Sequence, residues 1–337
     1  MMETLRQRCE ALIEELGLAG GRRLSSVEPL TGGVASDIAV VELEGEKICV
    51  KFALPKLKVA EDWRAPVHRN RAEFEWLAAA ARIAPENSLR MFGRSERQHG
   101  FAMEFLDGAG TVLWKSELLA GHDVPARATA VGDLLGRVHD ASSRPGFGCE
   151  AFANRDDFHA LRIEPYLIFT AGRHPEAAAE LTRLAAGLYR AETVLVHGDV
   201  SPKNIMFREE KPILLDAECA TMGAPEFDVA FCLNHLVLKA QHIPVLRAGL
   251  SGAVADFWNA YRTHVSWETE GELEGRVCKL LPALMLARID GKSPVEYLNE
   301  ANGSAIREMS LGLLQAPENT LNGLIGRIAT NWKDLSS

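Results

Sequence analysis

No apolar run in this sequence approaches the roughly 18 residues that a membrane-spanning helix needs. The start, "MMETLRQRCEALIEELG", is charged throughout, unlike a secretory leader. The expected location is therefore the cytoplasm, with no membrane partner. The six cysteines (Cys9, Cys49, Cys149, Cys219, Cys232 and Cys278) include no C-x-x-C pair and no grouping with histidines. That argues against a zinc site and a disulfide framework, and suits a reducing compartment. An excess of basic residues is missing too. With 37 Lys and Arg against 46 Asp and Glu the net charge is −9, the wrong sign for a general nucleic-acid binder. Such a surface is compatible with a cationic substrate, although mild acidity is ordinary for a globular enzyme. Internal repeats and low-complexity tracts are absent. What remains is a chain of 337 residues, 47% hydrophobic and 25% charged. It can bury a sizeable core as two domains or as one domain with two lobes.

Periodicity divides the chain unevenly. Leu5, Leu12, Ile13 and Leu16 predict a helix over 4–16 that Gly17 ends. Three short strands follow: one leading into Gly32 and Gly33, one at about 37–43 and one at about 47–53, the last two joined by a tight turn at 44–46. "NRAEFEWLAAAARI" (70–83) has a strongly helical composition, and "SLRMFG" and "GFAMEFLDG" read as strands closing a small sheet. After Gly108 the pattern is mostly helical, at 126–141, 175–190, 226–241, 246–265, 271–289, 301–315 and 318–333. The exception is 193–216, where short β segments surround "VHGDVSPKN". The expected architecture is α+β, with a strand-rich N-terminal lobe over 1–103 and a larger helical lobe over 104–337.

The chemistry-bearing residues fall in order along this frame. Lys51 stands among strand residues in "ICVKFA", opposite Val50 and Phe52, and Glu73 lies on the helix that follows. Either alone is an ordinary surface residue. In the loop, Asp199 and Asn204 stand in D-x-x-x-x-N spacing, and an apolar run then ends in Asp216 and Glu218. Asn and Asp oxygens suit Mg²⁺, which prefers a few carboxylates and substrate phosphates. Asp199 is then free to accept a proton from a hydroxyl, with His197 beside it in the same motif. A lysine for phosphate, a glutamate to aim it, a base and metal ligands make up the equipment of a phosphotransferase.

Taken together, these stretches resemble the superfamily of aminoglycoside phosphotransferases, choline kinases and methylthioribose kinases, small-molecule relatives of protein kinases. "HGDVSPKN" is similar to its catalytic loop, "LLDAECATMGAPEFDVAF" to its metal motif, and "LLGRVHDA" to the helix preceding the loop. "VKFALP" and "RAEFEWL" match its lysine strand and glutamate helix, and the likeness runs from about 27 to 240. The resemblance implies a protein-kinase-like bilobal fold and ATP and Mg²⁺ as cofactors. It implies Asp199 as general base or hydroxyl-orienting acid, Asn204 and Asp216 as metal ligands, and Glu218 as their helper. Lys51 would reach the α- and β-phosphates with Glu73 holding it. Gly32 and Gly33 would let backbone approach phosphate, and the backbones of Glu104 and Leu106 would meet the adenine edge. The G-x-G-x-x-G, H-R-D and D-F-G motifs are missing, so a protein kinase is not expected.

For the acceptor, "KFALPKLKVAEDWRAP" with Trp63 and "ARIDGKSPVEYL" with Arg288 resemble methylthioribose kinase, although the "SPKN" loop is of the general type. Trp63 reads equally as surface packing and Arg288 as a salt-bridge partner. His235 faces either the acceptor pocket or the core, and Lys203 either the transferring phosphate or solvent. Arg162, Glu164 and Tyr166 are spaced to share a helix face and form a pocket wall. The leading expectation is a Mg·ATP-dependent kinase acting on a hydroxyl of a small sugar-like metabolite, as a monomer or homodimer. An aminoglycoside-type enzyme would need a ring of carboxylates, and the only acidic run is "SWETEGELEGR" (266–276). A silent nucleotide-binding pseudokinase is the third reading, opposed by the retention of Lys51, Glu73, Asp199, Asn204 and Asp216.

Overall fold

Alternating apolar residues in the first hundred positions build one antiparallel sheet. A computed structural model describes residues 2–30, 36–56, 58, 65–108, 110–122 and 124–334. The expectations for Gly32, Gly33 and Trp63 lie outside the described residues. Helix α1 (Met2–Glu15) leads into strands β1 (Leu24–Leu30), β2 (Ser36–Leu43) and β3 (Glu46–Ala53). After helix α2 (Arg69–Ile83) come β4 (Met91–Ser95) and β5 (Gly100–Glu104), giving the sheet order β1-β2-β3-β5-β4. The β2–β3 turn closes through Glu44 at φ 49° and Gly45 at φ 93°. This double left-handed turn matches the natural twist of a hairpin.

The two faces of the sheet bury different partners. Val50 and Phe52 pack with Cys9, Leu12 and Ile13 of α1 in a core of their own. Because side chains alternate along a strand, Cys49 and Lys51 fall on the other face, toward α2. There Cys49, Phe101 and Met103 join Trp76 and Leu77 in a larger core that runs on into the helical part. Strand periodicity thus sends Lys51 inward, where it is 3% exposed.

The rest of the chain is mainly helical. Strand β6 (Thr111–Leu113) and helix α3 (Trp114–Ala120) precede α4 (Val124–Ser143). Then α5 (Arg155–Phe158), a π-helical stretch His159–Ile168 and α6 (Phe169–Arg173) run end to end, followed by α7 (Ala178–Arg190). Four short strands, β7 (Val194–Val196), β8 (Ile205–Arg208), β9 (Lys211–Leu214) and β10 (Thr221–Gly223), carry the polar loop. Helices α8 (Pro225–His242), α9 (Arg247–Arg262), α10 (Glu270–Asp290), α11 (Glu300–Gln315) and α12 (Leu321–Asp334) complete the fold. β10 pairs with β7, and β6, β8 and β9 form a three-stranded sheet. The mixed α+β class is as expected. β6 and α3 are additions: three residues are too few for a periodic signal, and β6 is a strand only through its pairing with β8. Among the described residues no helix is long and apolar enough to cross a membrane.

Trp76 joins the two parts of the site. It is 1% exposed on α2, and its ring meets the His197 imidazole edge-on at 4.7 Å between centroids. Trp76→Ala is expected to cost about 3–5 kcal/mol of unfolding free energy, from lost burial and the cavity left behind. Urea unfolding of the two proteins measures this directly, and a loss below about 1 kcal/mol would be too small for a core position.

Candidate active site

One ammonium gathers three carboxylates. Lys51 Nζ lies 2.7 Å from Glu73 Oε2 on α2 and 3.3 Å from Glu218 Oε1, and it also pairs with Asp216 Oδ1. The Asp216 backbone N–H donates to Glu73 Oε1 at 3.2 Å. Asp216 is held at φ 70°, a left-handed conformation that L side chains adopt at some cost. Glu218 is engaged on both oxygens. Oε1 accepts from the Ser36 hydroxyl at 2.5 Å, and Oε2 accepts from Arg69 Nε at 2.8 Å. Arg69, at the start of α2, also donates to the carbonyls of Leu54, Ala65 and Pro66.

Electrostatics follows from this crowding. Burial opposes the Lys51 charge, but Asp216, Glu73 and Glu218 outweigh it and raise the ammonium well above its ordinary value. For Glu73, burial dominates and lifts the carboxyl to about 7, against the pull of Lys51 and with added repulsion from Asp216 and Glu218. Three carboxylates facing the charges of Lys51 and Arg69 leave one negative charge in excess, and the most deeply enclosed acid carries it least easily. Donor oxygens of Glu73, Asp216 and Glu218 all lie within 4.8 Å of one another, close enough to share a metal ion. Of these only Asp216 has an oxygen free of protein donors together with partial exposure, 35% of its side chain.

The second half of the site is the loop between β7 and β8. Asp228, in the first turn of α8, accepts from the backbone N–H of His197 at 2.6 Å and of Gly198 at 2.8 Å. His139 of α4 stands 3.4 Å behind it and contacts the Tyr261 hydroxyl at 2.8 Å. His197 is fully buried, and its Nδ1 accepts the backbone N–H of Asp199 at 3.1 Å. Gly198 has φ 81°, and a Cβ there would come within 2.8 Å of Cys219 Cβ, so only glycine fits. Asn204 Nδ2 donates to the Asp199 carbonyl at 3.2 Å, and its amide oxygen takes no hydrogen bond from the described residues.

Asp199 projects from this frame with one oxygen engaged. Oδ2 accepts from Arg162 Nη2 at 3.0 Å and lies 3.4 Å from Lys203 Nζ, while buried Oδ1 has no hydrogen-bond partner. Burial favours its neutral form, yet Lys203 and Arg162 hold the carboxyl well below the usual range. Arg162 also donates to the Gly198 carbonyl. It sits on the π-helical stretch, which contains Pro165. On that helix Arg162 and Tyr166 turn inward together, whereas Glu164 faces out and pairs with Lys292 at 2.9 Å. Of the three residues expected to share a face, Arg162 and Tyr166 do so and Glu164 does not, because residue 164 lies half a turn from both neighbours.

The remaining expected residues are distributed as follows. Glu104 ends β5, with its N–H bonded to the Arg90 carbonyl at 2.8 Å and its carboxylate 2.6 Å from Arg208, and Leu106 follows it half-buried. Arg288 on α10 bonds Ser293 and lies 3.4 Å from the Tyr166 hydroxyl. His235 is buried on α8 with its ring 5.3 Å from Phe231. Arg69 and Ser36 complete the site but carry no local sequence signal of such roles, whereas Arg162 is expected only as part of a pocket wall and His139 is the histidine of the quoted "LLGRVHDA". Asp228 did carry one, as part of the quoted "EFDVAF".

A sequence profile described as the phosphotransferase enzyme family matches residues 26–266. The methylthioribose kinase of Pectobacterium carotovorum subsp. carotovorum (strain PC1) is 24% identical over 249 residues, covering 66% of this chain and 62% of its own length. The chain thus spans less than two thirds of that relative. Among solved structures, an amicoumacin kinase in complex with AMP-PNP and Ca²⁺ aligns with a TM-score of 0.55 at 14% identity, over 96% of this chain and 100% of its own. A choline/ethanolamine kinase family protein from Mesorhizobium loti aligns at 0.52 and 16% identity, over 98% and 100%. At these identities the structural likeness speaks to the fold.

The raised Glu73 carboxyl makes stability pH-dependent. A group whose folded-state pKa lies above its unfolded value contributes stability that is complete below the unfolded pKa and lost as pH rises through the folded one. For Glu73 that window runs from the ordinary carboxyl range up to about 7. The melting temperature of the ligand-free protein is expected to fall between pH 5 and pH 8, and to fall less in Glu73→Gln. Parallel melting curves for the two proteins across that range would overturn the assignment.

Proposed function

The chain belongs to the phosphotransferase enzyme family, and from that premise we propose that it is a Mg·ATP-dependent kinase that phosphorylates a hydroxyl of a small, sugar-like molecule. One observation carries the reading: the buried Asp199 Oδ1 has no partner while Arg162 and Lys203 occupy Oδ2. An orphaned acceptor atom at the head of a rigid loop is where a substrate hydroxyl would donate its hydrogen bond. The likeness to methylthioribose kinase over 249 residues supports a sugar-like acceptor.

The donor set fits a hard cation. The free amide oxygen of Asn204 and the second carboxylate oxygen of Asp216 are oxygen ligands of the kind Mg²⁺ takes. When bound, Mg·ATP supplies the transferable phosphoryl group and a cation that neutralises charge on it. Lys51, freed of part of its carboxylate load, steadies the phosphates, and Glu73 holds the ammonium in place. Glu218 positions rather than ligates: its oxygens are committed to Ser36, Arg69 and Lys51. His197 likewise positions the loop from behind. Asp199 orients the acceptor hydroxyl, whose oxygen gains the phosphoryl group as the bond to the ADP oxygen breaks, and its proton leaves past Asp199 to water. A carboxylate held below the usual range is a weak base, which suffices where the transition state is loose and positioning dominates.

An aminoglycoside-type acceptor is disfavoured, since the acids of 266–276 are taken up by neighbours: Glu268 pairs with Arg276 and Glu270 with Arg262. ADP release from Mg·ATP across methylthioribose, other sugars, choline, homoserine and aminoglycosides tests the reading. No ADP release with any acceptor and none in its absence would leave a silent nucleotide binder. Asp199→Asn is expected to lower kcat by about 10²–10⁴-fold while Mg·ATP still binds, and wild-type turnover would remove Asp199 from the site. Asp216→Asn is expected to abolish the Mg²⁺ dependence of nucleotide affinity, read by titration with AMP-PNP with and without the metal. An unchanged Mg²⁺ effect would overturn that assignment.

A further inference from the structure

Beyond Asp199 the site wall is built from cations. Lys239 lies one turn after His235 on α8 and is 2% exposed. Among the described residues its ammonium has neither a carboxylate nor a hydrogen-bond partner, and it stands 5.3 Å over the ring of Tyr297. Two more buried polar atoms nearby are unsatisfied, the Tyr297 hydroxyl and Arg288 Nε. Contacts tie these groups to the loop. Arg288 lies 3.4 Å from the Tyr166 hydroxyl. Tyr166 packs 5.6 Å from Phe231, and Phe231 packs 5.3 Å from His235. Arg162, which holds Asp199, is one turn before Tyr166.

The foremost charges acting on His235 are positive: after burial, Lys239, Arg288, Lys203 and Lys115 each push its proton off. Lys115 comes from α3, Lys203 from the loop and Arg288 from α10, so the cations converge from separate elements. Burial first, then Lys115 and Arg288, bring Lys239 down to about 8, against a smaller opposing pull from Cys232 and the exposed Glu296. Asp199 is the other acid at hand, and it is already shared by Arg162 and Lys203. A lone buried ammonium facing like charges is costly and persists where an anion completes it.

We propose that Lys239 and Arg288, with the Tyr297 hydroxyl, form an anion subsite that docks a carboxylate or phosphate group of the acceptor while its hydroxyl is presented to Asp199. The substrate class is then an anionic hydroxy compound, a sugar acid or a sugar phosphate. The assignment rests on the kinase reading for the fate of the hydroxyl, but the anion subsite is testable without it. A polycationic acceptor such as an aminoglycoside would meet this wall with like charge.

The experiment compares ADP release with matched acceptors: gluconate against glucose, glycerate against glycerol, ribose 5-phosphate against ribose, and choline as the cationic control. Faster release with the anionic members supports the subsite, and the carboxylate and phosphate pairs separate the two anions. Lys239→Met is then expected to raise KM for that acceptor by about 10–100-fold, with kcat changed far less. Arg288→Lys should recover part of what Arg288→Met loses. Faster release with neutral or cationic members only, or an unaltered KM in Lys239→Met, overturns the proposal. If no acceptor accelerates release, calorimetric titration of the AMP-PNP-loaded protein with gluconate and with inorganic phosphate decides. Binding that is lost in Lys239→Met, itself verified as folded by its melting curve, supports the subsite, and absence of binding to the wild-type protein overturns it. Failure to bind Mg·ATP at all would sink the kinase reading alone, because the same titrations on unliganded protein still report on Lys239 and Arg288.

Discussion

The Lys51 ammonium is the point on which the two halves of this molecule agree. It is delivered by β3, and the three carboxylates around it come from α2 and from the segment after β9. A buried lysine without partners would lose its proton or unfold its surroundings. Here the partners outnumber it, and the surplus negative charge is left in the cleft. A site poised in this way holds its cation in place and awaits further positive charge, which is the electrostatic complement of a metal-bound polyphosphate. Arg69 extends the arrangement by fixing Glu218 while its other donors hold the carbonyls of Leu54, Ala65 and Pro66.

The 197–204 loop depends on that first cluster through Trp76 and on the helical part through Asp228. One carboxylate buried at the start of α8 takes up two loop N–H groups, where the helix dipole also favours a negative charge. His139, Tyr261 and His197 fill the space behind. The loop is polar on its working side and supported by packed, hydrogen-bonded groups on the other. Under the proposed function, rigid support of this kind would let a static carboxylate such as Asp199 act by position, at no cost of reorganisation when substrate arrives.

Much of this was readable in one dimension. The 3.6-residue pattern located most of the helices, and the alternation around Lys51 already placed it opposite Val50 and Phe52. The turn at 44–46 was evident because glycine is the residue that tolerates its backbone. The D-x-x-x-x-N loop and the D-x-E that follows were legible because their residues lie within twenty positions, although their partners Lys51, Arg69, Ser36 and Arg162 stand far away in the chain. By contrast, β6 was invisible because its identity comes from β8, nearly a hundred residues away. Arg69 and Ser36 were hidden for the same reason, since nothing beside them in the chain marks their partner at 218, and Arg162 was legible as a wall residue but not as the partner of Asp199.

The sequence by itself determined the mixed α+β class and most of its helices and strands, because local periodicity and spacing act over a few turns of chain. Only the tertiary structure decided which way each charge is spent. It committed Glu218 to Arg69 and Ser36, turned Glu164 out to Lys292, and left Lys239 buried with no carboxylate in contact among the described residues. Those outcomes depend on which surfaces meet across the fold. Coulomb energy depends on distance in space and on local burial, and neither is set by separation along the chain.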